Sequence, residues 1–386
     1  MQSIKNKLIL TLIFMATVCL AVAFFCGKTA MAFSPTFTVI AGDKKYEFSG
    51  EELGFYKGNY YIKCLEGIVD GIYHDTVVKP VDATVTFTPN LQNDFSYTNE
   101  KSGKGIRRQK LIDDINTALY GGKWQVKAEF YEIKPKVSVI ELKKATNYRA
   151  EFSTNYISSS SSRKHNVKLA VEKINGTVLE AGQVFSFNQI VGERTEERGF
   201  QNAVVIENGQ FTEGVGGGVC QVSSTLYNCA LLSGVKVVER RAHSILSNYV
   251  EPSFDAMVSG NNLDLKFIND TGANLYIKGV ADGNNITFTF FGTTPTLRYE
   301  RVSVIVNEIP PEEEEIILDS EMFIGETVLL RKAKNGLKSE GYLVVYNGLE
   351  RVKTIKLHTD VYKSIRGQLK VGVKPKEFID NELVIG

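Results

Sequence analysis

Neither sign of charge is in clear excess in this sequence. Its 45 lysines and arginines nearly balance its 44 aspartates and glutamates, which leaves a formal net charge of +1. A protein dedicated to nucleic acid carries a clear basic excess, so we expect no nucleic acid among its partners. Apolar residues at 43% and charged residues at 23% are ordinary for globular domains and exclude a disordered or collagen-like chain.

Cysteine is also scarce. Five cysteines in 386 residues are too few for a scaffold held by disulfides. Cys19 and Cys26 lie in the N-terminal leader, which leaves the odd set Cys64, Cys220 and Cys229. The sequence contains no C-x-x-C pair and no closely spaced histidines, so no metal site is predicted, and we expect no cofactor.

One long apolar run is present, and it lies at the N-terminus. Lys5 and Lys7 precede the uncharged stretch from Leu8 to Phe25, and Ala30-Met-Ala32 follows it. Basic residues, an apolar centre and a small-x-small site are typical of a signal peptide, whereas the length also suits a membrane anchor. Residues 1–32 are therefore predicted to be one or the other, with the N-terminus inside. In either case we expect an extracytoplasmic protein, secreted or attached to the cytoplasmic membrane by this segment.

The rest of the chain is predicted to be α+β and multi-domain. Alternating polar and apolar residues predict strands in an N-terminal α+β module over residues 33–145, at 36–40, 84–87 and 127–133. One helix is expected there, from Arg107 to Tyr120, and residues 141–152 are expected to be a connector. A central mixed α/β domain is placed over residues 146–295 and an all-β module over 300–376. Asn335-Gly336 and Asn347-Gly348 predict hairpin turns in that last module.

A glycine-rich segment leads into Cys220. Residues 214–218 contain four glycines, which disfavour regular structure, and the residues after Cys220 have helical spacing. Cys220 is therefore expected at a helix N-terminus, where free N–H groups and the helix dipole stabilise a thiolate. The glycine N–H groups are candidate donors to an oxyanion, and no lysine with serine or threonine follows them as in a P-loop. Cys220 is thus a candidate nucleophile, whereas Cys229 is expected to be inert in the core.

A nucleophilic cysteine needs a base, and His243 is the best placed histidine. It follows Cys220 by a predicted helix, a turn and the strand-like residues 235–239, an arrangement that returns it toward the start of the helix. Asp255 is the first candidate to orient the imidazole, and Asp264 is the second. The alternative is that Cys220 is a small buried residue and His243 a structural one at a strand end.

The central segment resembles the VanW family. The similarity is carried by Phe185-Ser-Phe-Asn188, Val191-Gly-Glu-Arg-Thr195, Gly216 to Tyr227, His243-Ser244 and Asp255-Ala256. One departure is visible: Ser253-Phe254 stand where the family usually has glycine and a basic residue. If that basic residue binds a stem peptide, we expect recognition to differ here. Residues 80–136 resemble a peptidoglycan-binding module, and residues 309–373 resemble the G-five domain of cell-wall proteins.

The resemblance implies a cell-wall protein whose partners are peptidoglycan stem peptides. Some VanW domains are understood to be L,D-transpeptidases, which form 3→3 cross-links through a cysteine acyl-enzyme; with water as acceptor the same enzyme is an L,D-carboxypeptidase. Cys220 is then the nucleophile and His243 the base. Further residues are candidates for substrate binding: Gly216, Gly217, Gly218, Gln221, Ser223, Ser224, Arg194 and Arg240. The alternative function is a non-catalytic peptidoglycan-binding or surface accessory protein.

Overall fold

A computed structural model describes residues 36–49, 51–56, 59–60, 62–89, 92–207, 210–260 and 262–375. The predicted leader lies outside these ranges and stays a prediction. Within the described part of the chain, no helix is both long and apolar enough to span a bilayer. The chain forms two compact units, one from residues up to 81 with 101–136 and the other from 82–100 with the residues after 136. The bounds of the three modules given above stay a prediction.

Helices and strands alternate in the described part of the chain up to residue 239, and the elements after it are strands. Up to residue 144 the elements are β1 (Phe37–Ala41), β2 (Lys44–Phe48), β3 (Phe55–Tyr56), β4 (Asn59–Tyr60), α1 (Ile62–Thr76), β5 (Thr84–Phe87), β6 (Phe95–Thr98), β7 (Gly103–Ile106), α2 (Arg108–Tyr120), β8 (Gln125–Lys127), β9 (Phe130–Ile133) and α3 (Val139–Lys144). From there to residue 239 they are β10 (Asn147–Asn155), α4 (Ser161–Ile174), β11 (Thr177–Leu179), β12 (Val184–Ser186), α5 (Phe187–Val191), a 3₁₀ turn (Glu196–Arg198), β13 (Asn202–Glu207), β14 (Gln210–Val215), α6 (Val219–Ser233) and β15 (Lys236–Glu239). The remainder is all strand: β16 (Lys266–Ile268), β17 (Leu275–Ala281), β18 (Asn285–Gly292), β19 (Arg298–Ile309), β20 (Glu315–Phe323), β21 (Thr327–Arg331), β22 (Gly336–Asn347), β23 (Glu350–Tyr362) and β24 (Gln368–Lys374).

The first unit packs two helices on a small sheet. Strand β1 lies between β2 and β8, pairing antiparallel with β2 and parallel with β8. The predicted helix is confirmed as α2, and its apolar face is buried through Leu111, Ile115, Ala118 and Leu119. The predicted strand 127–133 is instead two strands, β8 and β9, which belong to different sheets. Helix α1 was not predicted, although Leu65, Val69 and Ile72 have helical spacing and are buried.

The core of the second unit is built around helix α6. A four-stranded sheet, in the order β10-β18-β17-β11, provides strands β10 and β18 against which α6 packs, while α4 packs on β17. Of the 15 residues of α6, 13 are buried, so the helix is enclosed on nearly all sides. The expected connector over residues 141–152 is wrong, because α3 and the edge strand β10 occupy it.

The C-terminal strands of this unit form two further sheets, β19-β22-β23 and β20-β24-β21. The turn predicted at Asn347-Gly348 is confirmed, because it joins the antiparallel pair β22 and β23. The turn predicted at Asn335-Gly336 is wrong. Gly336 begins β22 and pairs with Ile309, and a Cβ there would come within 2.3 Å of the carbonyl oxygen of Tyr362. The glycine therefore permits close strand packing rather than a hairpin.

Candidate active site

Cys220 lies in the first turn of helix α6. The helix begins after Gly218, whose φ of 105° is accessible to glycine at little cost, and its first N–H groups have no carbonyl partner within the helix. The Cys220 side chain is partly exposed, and its Sγ donates to the carbonyl oxygen of Val258 at 3.4 Å. The glycine-rich segment and helix start thus place the thiol where the local dipole favours a negative charge.

His243 connects this thiol to a buried carboxylate. Its Nδ1 lies 2.5 Å from Oδ2 of Asp255, and its backbone N–H donates to the same oxygen at 2.7 Å. The imidazole also interacts with the side chain of Cys220, which lines the same cavity, and Nε2 is the ring nitrogen that Asp255 leaves for it. Both His243 and Asp255 are less than 5% exposed, at 4% and 1%. Cysteine, histidine and aspartate therefore follow one another in the order required of a nucleophile, a base and an orienting acid.

The electrostatics of these groups favour a thiolate beside an imidazolium. Burial raises the pKa of Cys220, but the hydrogen bond and charge of His243 outweigh burial and hold that pKa below the ordinary thiol value. Burial lowers the pKa of His243, yet its hydrogen bonds with Asp255 and Cys220 raise it to about 10. Burial opposes ionisation of Asp255 as well, but the bond from His243 and the charge of Arg240 lower its pKa to about 2. The lowered pKa of Cys220 and the raised pKa of His243 thus both favour transfer of the thiol proton to the imidazole.

Asp255 is itself held by residues on two sides. Nη2 of Arg240 donates to Oδ1 of Asp255 at 2.8 Å, and its Nε donates to the Asp255 carbonyl oxygen at 2.6 Å. The phenol of Tyr362 donates to the same Oδ1 at 2.6 Å. Nη1 of Arg240 binds both carboxylate oxygens of Asp360 at 2.8 Å. Asp360 and Tyr362 both lie on β23. A C-terminal strand therefore completes the support of Asp255, the candidate carboxylate that orients His243.

Two serines of α6 fasten the segment that carries Asp255. Oγ of Ser223 donates to the carbonyl oxygen of Ala256 at 2.5 Å, and the Ala256 N–H donates to Oγ of Ser224 at 2.8 Å. Ser224 also donates to the carbonyl oxygen of Cys220 at 2.7 Å. The first turn of the helix and residues 254–258 are thereby joined by hydrogen bonds, which fixes the distance between the thiol and the acid.

A cavity of about 550 Å³ opens in front of Cys220. His243 and the glycines of residues 214–218 form part of its wall. Further lining residues include Arg163, Glu193, Arg194, Val204, Tyr249, Met257 and Val258. The ring of Tyr249 meets that of His243 edge to face, with centroids 6.5 Å apart. The volume suits a peptide segment or another small ligand.

The sequence of this chain is similar to those of a known protein family. The family model described as VanW like protein matches residues 162–291. The uncharacterized protein YoaR of Bacillus subtilis (strain 168) is 31% identical over 251 residues, which cover 64% of this chain and 83% of YoaR. The chain belongs to the VanW family. The vancomycin B-type resistance protein VanW of Enterococcus faecalis (strain ATCC 700802 / V583) is 30% identical over 127 residues, 31% of this chain and 46% of that protein.

Two solved structures are similar to about a fifth of the chain. One is the G5 domain of IgA1 protease, with 19% identity and a TM-score of 0.16, covering 20% of this chain and 90% of its own. The other is HP0197-G5, with 26% identity and a TM-score of 0.13, covering 20% of this chain and 96% of its own.

Three glycines predicted to bind substrate in this VanW-family chain, Gly216, Gly217 and Gly218, do line the cavity. The space left by their missing side chains, however, is occupied by other residues of the protein. A Cβ on Gly216 would come within 2.8 Å of Cβ of Arg194, and one on Gly217 within 2.6 Å of the Val204 carbonyl oxygen. A Cβ on Gly218 would come within 2.9 Å of Cγ of Arg163. The three glycines therefore allow two arginines and strand β13 to pack closely around Cys220.

Three other predicted substrate-binding residues do not line the cavity. Ser223 and Ser224 are fully buried and are committed to the carbonyl groups and the N–H described above. The side chain of Arg240 is 6% exposed and paired with Asp255 and Asp360, so it has no face left for a substrate. We therefore correct these three assignments: their positions make them supports of the site. Gln221 lines the cavity, but its amide is bound to Arg163 and to the end of β10.

The second candidate acid and the departure from the family pattern both lie elsewhere. Asp264 accepts from Oγ of Ser186 at 2.6 Å and from the N–H of Asn188 at 2.9 Å, at the start of α5. Ser253 has a φ of 67° and its N–H donates to the Tyr362 phenol at 2.8 Å. The guanidinium of Arg301 lies 4.7 Å from the ring centroid of the buried Phe254. Ser253 and Phe254 thus contact the C-terminal strands, not the cavity.

Four residues of the site were missed from the sequence: Arg163, Tyr249, Asp360 and Tyr362. Arg163 precedes the glycine-rich segment by 51 positions on another helix, and Tyr362 follows Asp255 by 107. No local pattern marks them, because their roles depend on tertiary packing alone. Only Tyr249, six residues after His243, lay close enough in sequence to be considered.

Proposed function

We propose that this chain is a cell-wall protein whose central domain is a cysteine acyltransferase, most specifically an L,D-transpeptidase. The single observation that carries the proposal is the series of Cys220 and His243 in the wall of a cavity with the buried carboxylate of Asp255 behind His243. Membership of the VanW family supports the link to the cell wall. Peptidoglycan stem peptides are the proposed partners, and an extracytoplasmic location follows from that substrate.

The proposed first half-reaction is acylation of Cys220. The thiolate attacks the carbonyl carbon of the diaminopimelate residue in a tetrapeptide stem, and the electron pair of that C=O moves onto oxygen. The N–H groups of Val219 and Gln221 already donate to the carbonyl oxygens of Gly216 and Gly218, so the N–H of Cys220, in the same turn of α6, is the proposed donor to this oxyanion. As the tetrahedral intermediate collapses, the C–N bond to the terminal D-alanine breaks, and the proton on His243 passes to the leaving amine. A thioester and neutral imidazole remain.

The second half-reaction reverses the proton transfer. The side-chain amine of a second stem attacks the thioester while neutral His243 accepts its proton, and Cys220 leaves as a thiolate. The product is a 3→3 cross-link, and the thiolate–imidazolium pair is restored. If water attacks instead, the same steps release a tripeptide stem, which is L,D-carboxypeptidase activity.

The test is product formation by the full chain with disaccharide-tetrapeptides, followed by mass spectrometry. We expect dimers joined 3→3 together with free D-alanine from the wild type and from Cys64→Ala, an exposed cysteine that serves as the matched control. Cys220→Ala is expected to give neither product. Equal dimer from Cys220→Ala would overturn the mechanism. Binding to isolated peptidoglycan without any turnover would favour the non-catalytic alternative.

A further inference from the structure

Two arginines face Cys220 without an acidic partner among the described residues. Arg163 donates from Nη1 to Oγ of Ser159 at 2.7 Å and from Nη2 to Oε1 of Gln221 at 2.9 Å. Arg194 donates from Nη2 to Oδ1 of Asn188 at 2.6 Å. All three acceptors are neutral, and within the described ranges neither arginine takes part in an ion pair. Glu193 is exposed in the same cavity wall, but it is not within ion-pair distance of either guanidinium. Two positive charges therefore line one cavity without forming an ion pair with a carboxylate of the described chain.

Both guanidinium groups are partly buried. Because an unpaired charge loses hydration on burial, each costs free energy in the absence of a bound counter-ion. Burial is the main influence on the pKa of each, and it lowers both values. The negative groups acting on Arg163 are Tyr249 and Cys220, each only when ionised. Cys220 and Asp264 act on Arg194, but Asp264 is beyond ion-pair distance and is held at the start of α5. A bound anion would relieve this cost.

The chain makes room for these two side chains at the nucleophile itself. The positive-φ residues Gly216 and Gly218 provide the space against which the stems of Arg194 and Arg163 pack. Gln221, one residue after Cys220, then holds the end of Arg163. The Arg163 guanidinium is thereby fixed relative to the first turn of α6, whereas the Arg194 guanidinium is held by Asn188 on α5.

We propose that Arg163 and Arg194 bind a free carboxylate of the acyl donor, carried by the amino acid that leaves. The inference rests on the proposed function for the identity of the bond that breaks, and it adds the chemical class of the donor. A donor whose last residue follows the attacked carbonyl directly presents its carboxylate beside Cys220. A donor with an amidated C-terminus leaves both arginines unneutralised and is therefore a poor substrate.

The test compares two alkylating reagents that differ in one charge. Iodoacetate carries a carboxylate next to the reacting carbon, whereas iodoacetamide is neutral and similar in size. The rate of each is measured at Cys220 and, in the same sample, at the exposed Cys64 by mass spectrometry of tryptic peptides. The imidazolium of His243 attracts iodoacetate in every variant, so the change in the iodoacetate-to-iodoacetamide ratio isolates the arginines.

Arg163→Gln and Arg194→Gln are each expected to lower that ratio at Cys220 by about tenfold, the usual size of a lost hydrogen bond between charged groups. Arg298→Gln is the matched control, because Arg298 is exposed on β19, is paired with Glu300 and does not line this cavity. Its ratio should stay at the wild-type value, and the ratio at Cys64 should stay constant throughout. An unchanged ratio at Cys220 in both glutamine variants would overturn the proposal.

A second measurement needs no variant and covers the case in which a glutamine variant fails to fold. N-acetyl-D-alanine is expected to slow alkylation of wild-type Cys220 by iodoacetamide, whereas N-acetyl-D-alaninamide at the same concentration is not. Equal protection by the two compounds would count against a carboxylate site. A lowered iodoacetate-to-iodoacetamide ratio in the two glutamine variants, together with no 3→3 dimer from the wild type, would support the carboxylate site and reject transpeptidation. The two proposals can therefore fail separately.

Discussion

The phenol of Tyr362 donates a 2.6 Å hydrogen bond to Oδ1 of Asp255, while Oδ2 of the same carboxylate faces His243. Tyr362 is fully buried and also accepts a bond from the Ser253 N–H. With Arg240, these donors occupy both oxygens of Asp255 and keep the carboxylate ionised within the protein. The orientation of the imidazole beside Cys220 therefore depends on a strand far away in the sequence.

Removal of the Tyr362 hydroxyl should weaken the site more than the fold. Tyr362→Phe deletes the hydrogen bond to the charged Asp255 and also removes the acceptor of the buried Ser253 N–H, so we expect a loss of about 2 to 4 kcal/mol in the free energy of unfolding. We also expect kcat to fall with little change in KM, because the variant affects a support of the base and not the cavity wall. Tyr342→Phe is the control, since Tyr342 is on β22 and binds Glu340. A Tyr362→Phe enzyme with wild-type kcat would show that this support is dispensable.

The reactivity of Cys220 should have an unusual pH profile. Its pKa is lowered from the ordinary value of 9.0, so the thiolate persists to a lower pH than that of an ordinary thiol and is lost as the pH falls through the lowered value. The proton needed by the leaving amine is on His243, and it is lost as the pH rises through about 10. Iodoacetamide alkylation of Cys220 should therefore remain fast at a lower pH than alkylation of an ordinary thiol, whereas turnover should decline above about pH 10. Glutathione is the reference thiol, and a Cys220 profile identical to that of glutathione would refute the ion pair.

Asp255→Asn should separate the role of charge from that of shape. The neutral amide removes the anion that helps to raise the pKa of His243, so the imidazolium weakens and the pKa of Cys220 rises. We expect turnover to fall by about 10⁴-fold, as for the equivalent change in a serine triad. Alkylation at pH 7 is the independent measurement. If Cys220 is alkylated as fast in Asp255→Asn as in the wild type, the carboxylate has no influence on the pKa of the thiol.

The same carboxylate should contribute stability that depends on pH. The folded-state pKa of Asp255 is lowered to about 2 from an ordinary value of 3.8. Its contribution of about 2 kcal/mol is therefore complete above pH 4 and is lost as the pH falls toward 2. Denaturant unfolding of wild type and Asp255→Asn at several pH values measures it. The difference between the two should shrink with acidification, and a constant difference would contradict the lowered pKa.

Gly218, against which Arg163 packs, gives a further prediction. Gly218→Ala combines a φ of 105° with a Cβ that would lie 2.9 Å from Cγ of Arg163, so the arginine must move. Gly182→Ala is the control for the backbone alone, because Gly182 has a φ of 82° and a Cβ added there would meet nothing within 4 Å. We expect about 1 to 2 kcal/mol of destabilisation from Gly182→Ala and about 1 to 3 kcal/mol more from Gly218→Ala. Only Gly218→Ala should lower the iodoacetate preference of Cys220.

Sequence reasoning located the parts of the site that are marked locally. Glycines before helical spacing placed Cys220 at a helix start, and the helix-turn-strand spacing brought His243 back to it. Asp255 was the first choice as its partner, and the geometry favours it over Asp264. These features depend on backbone conformation within short segments, which composition and periodicity encode.

The rest of the site depends on which long-range surfaces meet. Arg240 was expected to face a substrate, but its direction is set by Asp360, 120 positions later. Strand β10 was overlooked because its two faces are unevenly covered, and its mixture of charged and apolar residues lacks a clear period of two. Neither effect is visible in one segment of sequence, since each follows from contacts with distant strands.

The position of β23 in the chain has a consequence for biosynthesis. Cys220, His243 and Asp255 are all translated before Asp360 and Tyr362, so a nascent or truncated chain that ends before β23 has its nucleophile but lacks two supports of its acid. Because Asp255 then keeps only its bonds with Arg240 and His243, we expect Cys220 to become fully reactive only after β23 has been made and folded. Synthesis of β23, and not of the nucleophile itself, is therefore the step expected to complete the site.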